Sequence, residues 1–232
     1  MQKRRKLELI MTVVLLLAAY FLSREGARLV SQMGKSYLVV IDAGHGGDDP
    51  GKIGVNDAKE KNINLQISLL VKERLEEKGI LVVLTREDDQ GLYDPGTANA
   101  KVQDLQRRVQ LIHEKQPDCV VSIHQNSYPD PEVKGAQVFY YTDSTEGRKL
   151  AECLQSALIS GLDPENHRQA KGNTTYYMLK RTDAVIVICE CGFLSNPDEA
   201  QLLIDEAYQE KVADAICAGT IEYLEKKSGK LT

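Results

Sequence analysis

The chain has 232 residues, of which 42% are hydrophobic and 27% charged, enough for one globular domain plus an appendage or at most two small domains. The formal net charge is −5 and basic residues form a block only at the N-terminus, which argues against a nucleic-acid-binding protein. Trp is absent and aromatic residues make up 6%, so a groove lined with stacking aromatic rings is not expected.

The N-terminal segment combines a basic start with an apolar run. Four basic residues at 3–6 precede a mostly apolar stretch at 9–22, about the length of a signal-peptide core. Large residues crowd the end of this run where a cleavage site needs small ones, which favours an uncleaved signal anchor at residues 1–23. The alternative, an amphipathic or core helix, is disfavoured because the run is apolar on every face. The remaining chain is then expected on the extracytoplasmic side, membrane-anchored or secreted.

Residues 24–36 are predicted to form a polar linker, and residues 37–228 a single domain. Apolar, β-branched runs predict strands at 37–42, 80–85, 119–124, 136–141 and 184–190. Helices are predicted at 62–78, 102–115, 145–160 and 208–226, with a short one near 198–204. This alternation predicts an α/β fold: a mostly parallel central sheet flanked by helices, preceded by the N-terminal apolar anchor helix. Two long irregular segments, 86–101 and 161–182, are typical of lids or binding walls.

Three of the predicted helices carry an apolar stripe that indicates their buried face. The stripe residues are Ile63, Ile67, Leu70 or Val71, and Leu75 in the first helix, Val102, Leu105, Val109 and Ile112 in the second, and Val212, Ala215, Ile216, Gly219 and Tyr223 in the last. Gly79 and Pro117 are predicted to end the first two of these helices.

Two of the four histidines lie where predicted strands end. His45 follows the first strand within a glycine-rich turn, and His124 ends the third. Ligands of open α/β sheets bind beyond the carboxyl ends of the strands, and imidazole is the commonest metal ligand among side chains. We therefore expect a metal centre there. The alternative, a phosphate-binding loop at His45, is disfavoured because the glycine spacing does not fit one. Of the other histidines, His113 lies near the end of the second predicted helix, where a cation favours the helix dipole, and His167 is predicted to lie at the surface.

Three carboxylates are candidates to complete this site. Glu60 has a strong local alternative, since Asp57-x-x-Glu60 fits a helix capping box. Glu190 ends a buried strand, where a charged group is costly unless it is paired or functional, and this favours a functional role. Asp42 either orients a metal ligand through a hydrogen bond or caps a loop.

The five cysteines do not have the spacing of a disulfide scaffold. Cys189 and Cys191 share one face of a predicted strand, and a Cys-x-Cys metal clip there lacks a second cysteine pair. We predict that they are buried as small hydrophobic residues.

Several short motifs occur together in a fixed order. They are Asp42-Ala43-Gly44-His45-Gly46-Gly47, Lys59-Glu60-Lys61-Asn62-Ile63-Asn64-Leu65, Thr85-Arg86, Leu105-Gln106-Arg107-Arg108-Val109, Ser122-Ile123-His124-Gln125-Asn126 and Glu190-Cys191-Gly192-Phe193-Leu194-Ser195-Asn196. This set resembles the zinc-dependent N-acetylmuramoyl-L-alanine amidases of bacterial cell-wall turnover, over residues of about 37 to 224. With one domain behind an anchor and no wall-binding repeats, the chain looks most like the germination-specific amidases of spore formers.

The resemblance implies a zinc ion held by His45, Glu60 and His124, with Glu190 as the catalytic carboxylate. Glu60 can then cap the helix with its backbone position and still give its carboxylate to the metal. Residues 37–228 would then be a zinc amidase catalytic domain. It would cleave the amide between the lactyl group of N-acetylmuramic acid and the L-alanine of the peptidoglycan stem peptide, in spore cortex maturation or germination.

The same resemblance leaves the contacts with substrate open. Arg86, Arg108 and Asn126 are candidate substrate-binding residues, since a guanidinium holds a carboxylate through two hydrogen bonds. Arg181 is interpreted as a surface residue. Gln125 departs from the family pattern, which has a small residue beside the metal-binding histidine.

Peptidoglycan is the expected partner, together with the membrane through the N-terminal segment, and the need for an accessory protein stays open. One alternative is a non-catalytic peptidoglycan-binding module on the same fold. The presence of all four site residues, three metal ligands and a catalytic carboxylate, argues against it. Another is a two-metal phosphoesterase, which needs several bridging carboxylates where the sequence offers only Asp48 and Asp49.

Overall fold

The structure is a computed structural model that describes residues 36–229 together with Met11 and Tyr20. Its strands are β1 (Leu38–Ala43), β2 (Leu81–Leu84), β3 (Cys119–Asn126), β4 (Gln137–Tyr141), β5 (Lys171–Asn173) and β6 (Ile186–Phe193). The helices of residues 36–229 are α1 (Glu60–Glu77), α2 (Ala100–Lys115), α3 (Thr145–Leu162), α4 (Tyr177–Arg181), α5 (Pro197–Leu203) and α6 (Glu206–Lys227).

The six strands form one sheet in the order β2-β1-β3-β6-β4-β5. Strands β2, β1, β3 and β6 run parallel to one another, and β4 pairs antiparallel with β6. The central strands are buried on both faces, which explains their continuous apolar sequences. The predicted mostly parallel sheet is therefore confirmed.

Helices cover both faces of this sheet. Helices α1, α3 and α6 pack with α5 on the larger core, which contains Val39, Ile41 and Val121 from the strands. Helices α2 and α4 cover the other face, where Val40 and Val120 point. Successive strand residues thus alternate between two cores, as the pleat requires.

The predicted stripes of α1 and α6 are buried, except that Leu70 is only partly so. The stripe of α2 is wrong at one residue, because Val102 is 51% exposed in the first turn of that helix and lies beyond the edge of the core. Gly79, with φ of 75°, follows α1, and Gln116 in the left-handed region ends α2 just before Pro117.

The irregular segment expected at 161–182 contains two elements, β5 and α4. Both escaped prediction because they have only three and five residues, too short for a hydrophobic period to emerge. Strand β6 also continues three residues past the predicted end at Glu190, so that Glu190 lies within the strand.

The site residues are positioned by the carboxyl ends of three neighbouring parallel strands. His45 follows β1, His124 lies near the end of β3, and Glu190 is the partner of His124 in the β3–β6 register. The order β1-β3-β6 therefore brings three distant stretches of sequence to one edge of the sheet.

The predicted anchor at 1–23 and linker at 24–36 lie outside the described residues, apart from Met11, Tyr20 and Ser36. Within the part of the chain that the structure describes, no helix combines the length and apolar character needed to cross a membrane. All five cysteines are free and buried, as expected for small hydrophobic residues.

Candidate metal centre and active site

The loop at 43–47, here called the His45 loop, turns sharply after β1. His45 itself has a φ of 63°, which costs free energy for a residue with a side chain and persists only when neighbours fix it. Three cations supply that constraint through main-chain carbonyls. Arg108 Nη2 donates to His45 O at 2.6 Å, Lys61 Nζ to Gly47 O at 2.7 Å, and Arg86 Nη2 to Gly44 O at 3.1 Å.

Arg86 and Arg108 were predicted to bind substrate, and the structure corrects this interpretation. Their exposed fractions are only 4% and 1%. Both guanidinium groups donate to Ala43 O, and Arg108 also binds the carboxylates of Asp42 and Asp104. Because these donors are buried and bind groups of the protein itself, the two arginines stabilise the His45 loop and do not bind a substrate carboxylate.

Asp42 belongs to the same buried network. Its carboxylate accepts hydrogen bonds from Thr85, Arg108 and Ser122. Burial alone would raise the pKa of Asp42, but the charge of Arg108 and the hydrogen bond from Ser122 outweigh it and lower the pKa to about 2. Asp42 therefore joins β1, β3 and Arg108, and the predicted hydrogen bond to a metal ligand is replaced by this contact.

Glu60 is the first residue of α1 and is 3% exposed. The capping box does not form, since Lys59 is the N-cap and Asp57 has a φ of 63°. The Glu60 carboxylate instead accepts main-chain hydrogen bonds from Lys52 at 2.7 Å and Gln125 at 3.0 Å. The helix start thus directs its carboxylate toward the end of β3.

His45, Glu60 and His124 come together at this point. Glu60 Oε1 lies 3.2 Å from His45 Nε2 and 3.0 Å from His124 Nδ1, and one ligand atom from each residue lies within 4.8 Å of the others. Zinc binds nitrogen and oxygen at about 2.0–2.2 Å, so tetrahedral neighbours lie about 3.3 Å apart. The donor types and their spacing both fit a zinc ion.

Two glycines give these ligands their space. A Cβ on Gly44 would lie 2.3 Å from Cε1 of His124, and one on Gly51 would lie 2.5 Å from Oε2 of Glu60. Gly51 also has a φ of 66°, which disfavours any side chain. The backbone therefore approaches the ligand side chains too closely for any residue but glycine at either position.

Further side chains orient the ligands from behind. Asp49 Oδ2 lies 3.0 Å from His45 Nδ1, and Asn64 Nδ2 donates to both Gly44 O and Glu60 Oε1. Such contacts fix the ring orientation and tautomer of a metal-binding histidine. Burial would raise the pKa of Glu60, but the hydrogen bonds and charges of the two histidines hold it well below its usual value. Glu60 is thus kept as a carboxylate.

Glu190 lies beside the three ligands and has fewer partners. It is 7% exposed; Tyr176 Oη lies 3.5 Å from its Oε1, and its Oε2 is buried without a hydrogen-bond partner among the described residues. Burial raises the pKa of Glu190 to about 7, against the lowering effect of His124. A buried carboxylate oxygen with nothing to accept from is unusual, and it marks a position where an exchangeable proton or a ligand fits.

Asn126 lies two residues beyond His124, after an irregularity in the β3–β6 register. Its Oδ1 accepts the main-chain N–H of Ser127, and its carbonyl accepts that of Leu194. These contacts shape the end of β3, and its predicted contact with substrate stays a prediction. His167 is exposed, as expected, and His113 is exposed near the end of α2.

Several site residues were missed by sequence reasoning. Asn64 carried a signal, since it lies one helical turn after Glu60 and so faces the same way. Gln125, noted only as a departure from the family pattern, donates to Asn64 Oδ1. Lys61 and Tyr176 carried none, because their contacts depend on loops from other parts of the chain.

Comparison with known proteins agrees with this geometry. The family profile described as N-acetylmuramoyl-L-alanine amidase matches residues 39–222. The germination-specific N-acetylmuramoyl-L-alanine amidase of Bacillus subtilis is 37% identical over 193 residues, covering 82% of this chain and 81% of that protein.

Two solved structures have the same fold. The CwlD amidase of Clostridioides difficile, solved in complex with the GerS lipoprotein, is 40% identical with a TM-score of 0.80, covering 82% of this chain and 99% of that one. The amidase AmiC2 of Nostoc punctiforme is 30% identical with a TM-score of 0.72, covering 82% and 98%.

Proposed function

The chain belongs to the N-acetylmuramoyl-L-alanine amidase family, and we propose that it hydrolyses the amide between the lactyl group of N-acetylmuramic acid and the L-alanine of the stem peptide with the help of a zinc ion. The ion would be held by His45, Glu60 and His124. One observation carries this proposal: three donor atoms suited to zinc lie within 4.8 Å of one another, beside a buried carboxylate that has a free oxygen.

The residues of the site divide the reaction between them. When bound, zinc polarises the scissile carbonyl and lowers the pKa of water, so that both partners of the hydrolysis are activated. Glu190 accepts the proton of the attacking water at its free oxygen and returns it to the departing nitrogen. The C–N bond breaks, and the products are a lactyl carboxylate and a stem peptide with a new L-alanine amino terminus. Asp49 and Asn64 keep the ligands oriented.

The biological setting is also a proposal. The similarity to a germination-specific amidase, at 37% identity over most of both chains, supports a role on spore cortex peptidoglycan. A similar amidase has been solved with a lipoprotein bound, which supports an accessory protein partner here. We place the catalytic domain on the extracytoplasmic side, tethered by the predicted anchor at 1–23.

The test is mass analysis of purified peptidoglycan after digestion with the protein, with and without a chelator. We expect new L-alanine amino termini that disappear on chelation and return with added zinc. Binding to peptidoglycan without release of such termini would support the non-catalytic module instead. Activity that persists unchanged in chelator would remove zinc from the mechanism while leaving the amidase function in place.

A further inference from the structure

Tyr176 is the residue outside the four site residues that reaches the catalytic carboxylate. Its hydroxyl lies 3.5 Å from Glu190 Oε1, a long contact of the kind that tightens when an active site is occupied. The described residues offer this hydroxyl no other hydrogen bond. A phenol half-buried at an apolar face needs a polar partner, and Glu190 is the partner that the fold provides.

The ring of Tyr176 is fixed independently of its hydroxyl. It packs edge-on against Phe139, with ring centroids 5.5 Å apart and planes at 84°. The main chain is held at both ends, because Asn173 Oδ1 accepts Tyr176 N–H at 2.9 Å and Tyr176 O accepts the N–H of Lys180. Removal of the hydroxyl alone should therefore leave the ring where it is.

The sheet explains why Tyr176 and Glu190 meet. Phe139 on β4 pairs with Ile188, and Gln137 pairs with Glu190, so Phe139 and Glu190 share a face of the sheet. Tyr176 covers Phe139 on that face and extends its hydroxyl two residues along β6. Burial, and then the charge of Glu190, raise the pKa of Tyr176 to about 12, so the phenol keeps its proton and can act only as a donor to the carboxylate.

We propose, on the basis of the amidase function set out above, that Tyr176 is a positioning residue whose hydroxyl donates to Oε1 of Glu190 and so reserves Oε2 for proton transfer. The two oxygens of an unrestrained carboxylate exchange places by rotation about one bond. With Oε1 engaged, Oε2 stays in the orientation in which the structure leaves it without a partner. Tyr176 would thereby act on the proton-transfer step without contacting the substrate.

The test is Tyr176→Phe in the full-length protein, with Tyr177→Phe as the matched control. Tyr177 is the next residue and is also half-buried, but its ring faces the guanidinium group of Arg181. We expect Tyr176→Phe to lower kcat by about tenfold, the effect of one hydrogen bond to a charged group. KM, zinc content and melting temperature should equal those of the wild type, and Tyr177→Phe should match the wild type in every respect.

Three results would overturn the proposal. An unchanged kcat in Tyr176→Phe removes the positioning role. A raised KM with unchanged kcat makes Tyr176 a substrate-binding residue, and an equal loss in Tyr177→Phe makes the effect a general one of this segment. If the wild-type protein itself released no L-alanine amino termini, the proposed amidase function would fail instead, so the two failures are distinguishable.

Discussion

The two sides of the candidate site are held in opposite ways. On one side, every main-chain carbonyl at residues 43–45 and 47 accepts a hydrogen bond from Arg86, Arg108, Lys61 or Asn64. On the other side, Glu190 has one long contact and a buried oxygen without a partner. A metal ligand must stay in one place, whereas a proton-transfer group must be able to gain and lose a bond. The density of hydrogen bonds therefore separates the two roles.

The largest expected effect is the loss of activity on replacing the carboxylate of Glu190. Glu190→Gln should lower kcat for peptidoglycan hydrolysis by about 10²–10⁴-fold, because an amide cannot accept the proton of water. Zinc content and thermal stability should persist, since Glu190 contributes little to the hydrogen-bond network. Kinetic assay together with metal analysis and thermal unfolding measures all three.

Glu199 offers a control, as a partly buried carboxylate that has hydrogen-bond partners for both oxygens. It accepts the main-chain N–H groups of Phe193 at 2.7 Å and Gly135 at 2.9 Å. Glu199→Gln replaces one accepting oxygen by an N–H donor and should therefore lower the free energy of unfolding by about 1 kcal/mol, while the folded protein keeps its kcat. If both variants lost activity and stability alike, the separation of roles would be wrong.

The contribution of the His45 loop's hydrogen bonds to stability is tested at Arg108. Arg108→Met removes a buried cation that pairs with Asp42 and Asp104 and donates to the carbonyls of Ala43 and His45. We expect a loss of about 3–5 kcal/mol in the free energy of unfolding, as for other broken buried ion pairs. Urea denaturation measures it.

The neighbouring Arg107 on α2 is the control, because its side chain is 40% exposed and pairs with Asp94, which lies in the loop before the helix. Arg107→Met should cost about 0–1 kcal/mol. Equal costs for the two substitutions would show that the His45 loop does not depend on Arg108.

The space around the ligands can be tested with two glycines. Gly51→Ala places a Cβ against Glu60 and His45, whereas Gly96→Ala has similar backbone strain, with φ of 79°, but its Cβ meets nothing within 4 Å. We expect zinc affinity to fall by about 10–100-fold in Gly51→Ala and to stay unchanged in Gly96→Ala. Equilibrium titration with a competing chelator measures the affinity. Equal zinc affinities of the two variants would contradict the need for glycine at position 51.

The smallest expected effect is a pH dependence of stability that comes from Asp42. Its pKa is about 2 in the folded protein against 3.8 for an ordinary aspartate, so its contribution is complete above about pH 4 and is lost as the pH falls toward 2. The loss amounts to about 2 kcal/mol. Denaturation curves between pH 2 and 5 should show a shallower fall for Asp42→Asn than for the wild type. Parallel curves for the wild type and Asp42→Asn would contradict this expectation. Ser122→Ala, which removes one hydrogen bond to Asp42, provides a milder variant.

The sequence predicted the sheet and the meeting of His45 with His124 because both depend on local patterns. Buried parallel strands have continuous apolar runs, and their ends lie at one edge. Glu60 was harder, since its local sequence fits a helix cap and only the resemblance to a family indicated a ligand. The structure explains this conflict: Glu60 begins the helix, but its carboxylate turns toward Gln125 and the histidines.

The roles of Arg86 and Arg108 could not be predicted from sequence. An arginine that binds a substrate carboxylate and one that binds main-chain carbonyls have the same local surroundings in the chain, and they differ only in which loops fold over them. The same holds for Tyr176, whose segment the sequence predicts to be irregular. Contacts between a loop and a distant strand have no period, so a sequence pattern does not reveal them.

The most direct test of the metal centre is the zinc content of the purified protein compared with those of two histidine variants. We predict one zinc ion per chain in the wild type and in His113→Ala, whose histidine is exposed on α2, and a clear loss in His124→Ala. Zinc retained in full by His124→Ala would contradict a centre built from His45, Glu60 and His124.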